Sequence, residues 1–516
     1  MTPIRLISGF LTVGLWTLFS RIFGFVRDVA IAAYLGAGPV AEAFLIAFAL
    51  PNMFRRFFAE GAFNMAFVPI FAKKLERDED ALGFARNAAS ALGMFLFGFS
   101  VLAHLAMPWL VMAMAYGFRG DERFDLAVSY GRIAFPYIMF ISLAALLAGV
   151  LNAMGRFAVA AAAPTVLNVV FIGALVLADW RGWPIGDALA WAVPLAGVAQ
   201  LGVLWWSAAR AGFVLAPQWP RPSPEMKRLL RIMGPAMLAG GVVQVNLLVG
   251  RQVASFFDGA VAWLSYADRL YQLPLGVVGI AIGVVLLPDL SRRLGAGDTA
   301  GGRWSFSRAL EFSLALTLPS AVALMVIAVP IVSVLFERGR FGTDDTAATA
   351  LVLAVYGAGL PAFVLQKVLQ PLYFARHDTR RPFNYAVVAM IVNAALAVGL
   401  APVLGYVAAA LATSVAAWVM VWQLWRGARG LGEAAQPDER FTRRLWRQVA
   451  AAVAMGVALW ALALALDPWL VQGGVRYLAL TLLILGGSVV YFAVGGVLGA
   501  FMLSDFRSAL RRKRAG

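Results

Sequence analysis

FPYIMFISLAALLAGVLNAMGRFAVAAAAPTVLNVV, residues 135–170, lies without gaps over LPAFVLQKVLQPLYFARHDTRRPFNYAVVAMIVNAA, residues 360–395. The overlay pairs Pro136 with Pro361, Arg156 with Arg381 and Asn168 with Asn393, a shift of 225 residues (361 − 136). Apolar helices drawn from a small alphabet coincide by chance at alanine and leucine. Coincidence at proline, arginine and asparagine is harder to reach that way and marks an internal repeat. A fainter echo follows, GDALAWAVPLAGVAQLGVLWW from Gly186 over GYVAAALATSVAAWVMVWQLW from Gly405, which alone would carry nothing.

Working outward, the whole chain shares the apolar character of the repeat. Of 516 residues 62% are hydrophobic and 14% charged, with a mean hydropathy of +0.80, beyond any ordinary soluble protein. Runs long enough to cross ~30 Å of hydrocarbon fall near 7–34, 41–72, 88–115, 128–152, 157–178, 187–208, 232–257, 260–288, 306–336, 347–374, 383–402, 405–425, 446–466 and 476–503. They are continuously apolar rather than alternating, so helices are expected, not barrel strands. The reading is an all-α polytopic membrane protein of about 14 spans. The stretch behind Arg5 runs on to Tyr34 and is read as a first span, not a cleaved leader. Six spans per repeat gives two six-helix lobes of like orientation, related by a pseudo-twofold along the membrane normal, plus two C-terminal helices. The expected domains are 1–225, 226–430 and 431–516, the last a candidate groove for a lipid tail.

The net charge of +16 has its source in basic connections, so nucleic acid is not expected as a partner. Connections on the N-terminal side carry clusters such as Lys73, Lys74 and Arg77, or Arg440, Arg443, Arg444 and Arg447. The opposite side carries only Arg119, Arg123, Arg132, Arg181, Arg338, Arg340 and Arg476. The positive-inside rule then places both termini in the cytoplasm, as an even span count requires.

Seven cations remain at membrane depth: Arg21, Arg27, Arg55, Arg56, Arg251, Arg269 and Lys367. Each costs at least ~2.5 kcal/mol in hydrocarbon, so they should face a polar cavity or an anion. The acids at that depth are fewer, Asp28, Glu42, Glu60 and Asp268. A cavity positive on balance suits an anionic substrate, and guanidinium forks suit phosphate oxygens. Like-oriented repeats around a midplane cleft suit alternating access. Other chemistry finds little support. There is no cysteine; His104 lies in an apolar run and His377 in a basic loop, neither with metal-site company. The acidic ERDED run (Glu76 to Asp80) and Asp344–Asp345 read as solvated turns, and the terminal RRKR as an orientation signal. No metal, no cofactor and no catalytic residue is expected. Sodium or proton coupling stays open.

SRIFGFVRD from Ser20, GAGPVAEAF from Gly36, LPNMFRRFFAEGAFNMAFVP from Leu50 and YADRLYQLP from Tyr266 resemble signature stretches of the MurJ-type (MviN) lipid II flippases of the multidrug/oligosaccharidyl-lipid/polysaccharide exporter superfamily. The resemblance runs through nearly the whole chain. It implies two six-helix lobes with two added C-terminal helices. It also implies export of lipid II, the undecaprenyl-diphosphate-linked peptidoglycan precursor, from the inner to the outer leaflet of a bacterial cytoplasmic membrane. Residues matching Arg21, Arg27, Arg55 and Arg269 would line the cavity, with Asp28, Glu42 and Glu60 as supporting acids. Together with the charge reading, Arg27, Arg55 and Arg269 are expected to hold the diphosphate and Arg21 and Arg56 to organise the site through Asp28 and Glu60. The lipid tail would lie along 446–503. The chain departs from the family at Glu42, where Asp is usual, and at Gln272, where many members carry an acid. The expected partners are lipid II and the membrane, for a monomer working beside the cell-wall synthesis machinery. The alternatives are a flippase of another polyprenyl-diphosphate-linked saccharide, or an integral-membrane glycosyltransferase, whose usual large outer loop or carboxylate constellation is missing here.

Overall fold

The computed structural model describes residues 3–56, 63–77 and 79–501, apart from the side chains of 3–12, 65, 234–243, 245–246, 277, 279–285 and 287. Glu60 and the basic tail from Arg507 lie outside the described residues. Every regular element among them is a helix. Ten helical stretches are long and apolar enough to cross a membrane, which makes the chain an all-helical, multi-pass membrane protein. The four other expected spans, 7–34, 41–72, 232–257 and 260–288, hold six of the seven intramembrane cations or run through undescribed residues. Length and hydropathy thus support ten spans where the sequence suggests about 14.

Packing divides the chain into two compact units, Met1–Ala262 with Arg338–Phe341, and Trp263–Glu337 with Gly342–Gly516. The first holds α1 (Pro3–Leu35), α2 (Pro39–Arg55), α3 (Asn64–Glu76), α4 (Ala81–Leu105), α5 (Met107–Met114), α6 (Glu122–Ala134), α7 (Tyr137–Ala153), α8 (Phe157–Arg181), α9 (Ile185–Arg210) and α10 (Pro224–Ala254). The start of α11 (Ala260–Gly295) also belongs to it. The second holds the rest of α11, then α12 (Thr299–Val326), α13 (Ala328–Phe336), α14 (Thr343–Phe374), α15 (Arg380–Leu404), α16 (Val407–Ala428), α17 (Glu439–Val471) and α18 (Val475–Val497). By the repeat α10 opens the second half, yet it packs within the first unit against α3 and α5.

Each unit realises the repeat in its own packing. In the first, α9 lies against both α7 and α8; in the second, α16 lies against both α14 and α15. Gln200 fastens the first trio, donating to the Ala163 carbonyl at 3.0 Å and lying 3.3 Å from the Tyr137 hydroxyl. Gln366, donating to the Ala417 carbonyl at 3.1 Å, and Tyr373, donating to that of Leu424 at 2.6 Å, serve the second. The matched asparagines are buried at equivalent places, Asn168 in α8 and Asn393 in α15. The copies differ where the chain bends: Phe135 and Pro136 separate α6 from α7, whereas Pro361 sits inside the unbroken α14.

Local signals set the ends. Asp80, Asp298 and Asp438 each accept the N–H three residues on (2.7–2.8 Å), capping α4, α12 and α17. Gly36, with φ +65°, closes α1; a Cβ there would stand 2.5 Å from the Arg340 carbonyl oxygen. The Arg340 N–H in turn donates to the Ala33 carbonyl at 2.8 Å, so the Arg338–Phe341 turn is seated on the end of α1. The α9–α10 linker lies along α4. Asn87 donates to the Arg221 carbonyl and accepts its N–H, both at 2.7 Å, while Ser90 accepts from Gln218 and Arg86 donates to Val214. Lys74 of α3 reaches Glu225 at the start of α10 at 3.2 Å.

The C-terminal pair, α17 with α18, packs on α12, where the Tyr491 hydroxyl donates to the Ala315 carbonyl at 2.8 Å. An ion cluster secures its base. Glu311 of α12 receives Arg308 and Arg444, and Arg440 at 3.5 Å, while Asp438 takes the other arm of Arg308.

Candidate functional site

Arg27 is the most deeply committed of the expected cations. It is 7% exposed and its neighbour Asp28 8%. Its Nε and Nη2 donate to one Asp28 oxygen at 3.0 and 2.7 Å, and its Nη1 donates to the Asn168 side-chain oxygen at 3.0 Å. Asn168 completes the link by donating to the Ser20 carbonyl at 3.0 Å, which ties α1 to α8. The Phe171 ring lies 5.6 Å from the guanidinium carbon, a cation–π distance. With all three nitrogens in use, Arg27 fixes the geometry and adds its positive charge.

Arg21 is exposed on the same helix. Six residues at about 100° each turn it roughly 120° away from Arg27, so the two arginines serve different faces. Arg55, half-buried, is the last residue of α2, and Arg56, exposed, is its C-cap. Pro51, inside α2, removes one backbone donor a turn before them. Arg251 of α10 is half-buried. These five cations belong to the first unit. Arg269 and Lys367, both exposed, belong to the second, on α11 and α14. Asp268 is half-buried and takes a hydrogen bond from Gln272, so the residue standing in place of an acid is bonded to the acid one turn before it.

Glu42 keeps other company. It is 1% exposed, near the start of α2, 13 residues and therefore about 20 Å along the axis from Arg55. One carboxylate oxygen takes Arg123 at 3.0 Å and the other accepts the Val261 N–H at 3.0 Å. Arg123 counts in the sequence only as one of the few outer-side cations, set among Asp121, Glu122 and Asp125 like a solvated loop charge. In the structure it is 5% exposed. Sequence reasoning thus missed two residues that organise the expected site. For Asn168 a signal existed, its match to Asn393 in the repeat; for Arg123 there was none.

Comparison with known proteins agrees along the whole chain. The family described as Lipid II flippase MurJ matches residues 31–480. A probable lipid II flippase MurJ of Rhizobium tropici is 44% identical, over 99% of this chain and 97% of the relative. The lipid II flippase MurJ of Burkholderia cenocepacia is 37% identical, over 88% and 90%. Among solved structures, a lipid II flippase MurJ in an inward closed conformation superposes with a TM-score of 0.79 at 24% identity, over 94% of this chain and 98% of that one. An inward-facing multidrug resistance MATE family transporter of the MOP superfamily gives 0.68 at 14% identity, over 80% and 95%. At these identities the structures establish the fold.

Proposed function

This chain belongs to the lipid II flippase MurJ family, and from that premise we propose that it carries lipid II from the cytoplasmic to the outer leaflet of a bacterial inner membrane. It does so as a transporter rather than an enzyme. The observation that carries the reading is the set of arginines on helices expected to span the membrane. A diphosphate is the part of lipid II with the charge and the oxygen geometry to use them. Arg27, held by Asp28 and Asn168, sets the positive field, and the more accessible Arg21, Arg55, Arg56 and Arg269 supply donors to the diphosphate. Arg251 and Lys367 add charge. The prenyl tail stays in lipid along α17 and α18, which carry Trp460, Leu464, Leu482 and Leu485 exposed.

The same reading proposes fourteen spans, an even number that puts both termini in the cytoplasm, and a monomer working beside the cell-wall synthesis machinery without a cofactor. The test is leaflet-resolved accessibility of lipid II in cells depleted of the native flippase and then supplied with this chain. Outer-leaflet lipid II is expected to fall on depletion and return on supply; exposure that stays low with the chain present in the membrane overturns the proposal.

A further inference from the structure

The exposed side of the α8–α9 hairpin holds a groove of about 500 Å³, within the range of small-molecule sites. Val170 and Leu177 of α8 and Trp191 and Leu195 of α9 line its length, with Trp183 and Asp187 at the turn end. Eight residues separate Asp187 from Leu195, about 12 Å along the helix axis, against about 15 Å for half of the hydrocarbon. The groove is therefore the length of one leaflet, and its apolar walls open to lipid.

Asp187 is the only charged residue on those walls among the described residues. A carboxylate on a lipid-facing wall is costly unless something pairs with it. The Tyr130 hydroxyl of α6, itself 3% exposed, donates to it, and a Cβ on the preceding Gly186 would collide with that hydroxyl. One hydroxyl fills one of about four acceptor positions on a carboxylate, so Asp187 is held in place with most of its capacity left over. Arg181, exposed at the same turn, stacks on the Trp180 ring at 4.8 Å and adds a cation at the level of lipid headgroups.

We propose that this groove is a binding site for a phospholipid with a primary ammonium headgroup. The ammonium donates to Asp187, beside the faces of Trp183 and Trp191, the phosphate lies towards Arg181, and one acyl chain fills the groove as far as Leu195. A quaternary ammonium has no N–H for the free acceptors of Asp187, and an anionic headgroup meets a like charge there. The site does not depend on the flippase reading; only its leaflet, the outer one, rests on the orientation proposed above. Its place gives it a bearing on the arginine site, because Val170 shares a turn of α8 with Asn168 and Phe171, which hold Arg27. A bound chain packs behind that turn.

The test uses the full chain, whose lack of cysteine allows one labelled thiol. Val198→Cys, at a position 50% exposed one turn past Leu195, carries a small fluorophore at the foot of the groove. Ile391→Cys, at a position 58% exposed on α15, carries it elsewhere on the lipid-facing surface. In vesicles of choline phospholipid, lipids with brominated chains are added as a minor fraction. At Val198→Cys the ethanolamine lipid is expected to quench like a choline lipid at about three times its level, the scale of an exposed ion pair. The anionic glycerol lipid should quench no more than the choline lipid, and Ile391→Cys should show no preference. Adding Asp187→Asn, which keeps the side chain's shape, should abolish the preference at an unchanged melting temperature. Equal quenching by ethanolamine and choline lipids at Val198→Cys overturns the proposal. So does a preference for the anionic lipid, one that survives Asp187→Asn, or one that is as large at Ile391→Cys.

Discussion

Arg27 can hold its place only if one side chain satisfies Asp28 and Asn168 together. A lysine ammonium carries the charge but cannot reach a carboxylate and an amide along two edges of a plane. Arg27→Lys is therefore expected to fail like Arg27→Ala in a flippase-depleted strain, and full complementation by the lysine variant would refute this account. Asn168→Ala removes one hydrogen bond to a charged group, worth about 1.5–3 kcal/mol, and should give partial complementation. At this scale the sequence is most legible where a residue is out of place: an arginine or aspartate in an apolar run announces itself. Asn168 is legible only through its repeat partner. Arg123 is not legible at all, because a buried cation serving three acids and a solvated loop cation are written alike in DERFD.

Helix ends and helix anchors carry the next level. Gly36 combines a left-handed backbone with an approach to the Arg340 carbonyl that no Cβ fits. Gly36→Ala is expected to lower stability by about 1–3 kcal/mol, read as a fall in the detergent melting temperature; an unchanged melting point would show that the turn is not seated there. The cluster around Glu311 makes a second prediction. Glu311→Leu takes a carboxylate away from Arg444, whose side chain is 6% exposed, and should cost about 3–5 kcal/mol, whereas adding Arg444→Met should recover much of the loss. A double variant as unstable as the single one would show that the cluster does more than neutralise charge. Element positions were largely readable because apolar runs of the right length have one use in a membrane chain. The unequal treatment of the bend was not readable. Pro136 and Pro361 align in sequence, but one ends a break between α6 and α7 and the other rides inside α14, a difference set by packing around each proline rather than by the proline.

Across the whole molecule, the charge that moves through the membrane sets the expected response to voltage. An anionic head moving outward with the interior negative gains about 2.3 kcal/mol per charge per 100 mV. Flipping in vesicles should slow when the potential is collapsed with the proton gradient kept, and a rate indifferent to about 100 mV would remove the field as the drive. The family and the repeat were legible at this scale; the grouping of α10 and of the Arg338–Phe341 turn with the first unit was not, since both are made by contacts distant in sequence. That turn also bears on the order of synthesis. The end of α1 receives its Arg340 partner only after every residue from 36 to 339 has left the ribosome, so the first bundle must wait, inserted but unfinished, through the making of α10 to α13. A nascent chain arrested at residue 262 should be cut faster near Ala33 by an added protease than one arrested at residue 374, and equal rates at the two lengths would show that the bundle closes without its late-arriving turn.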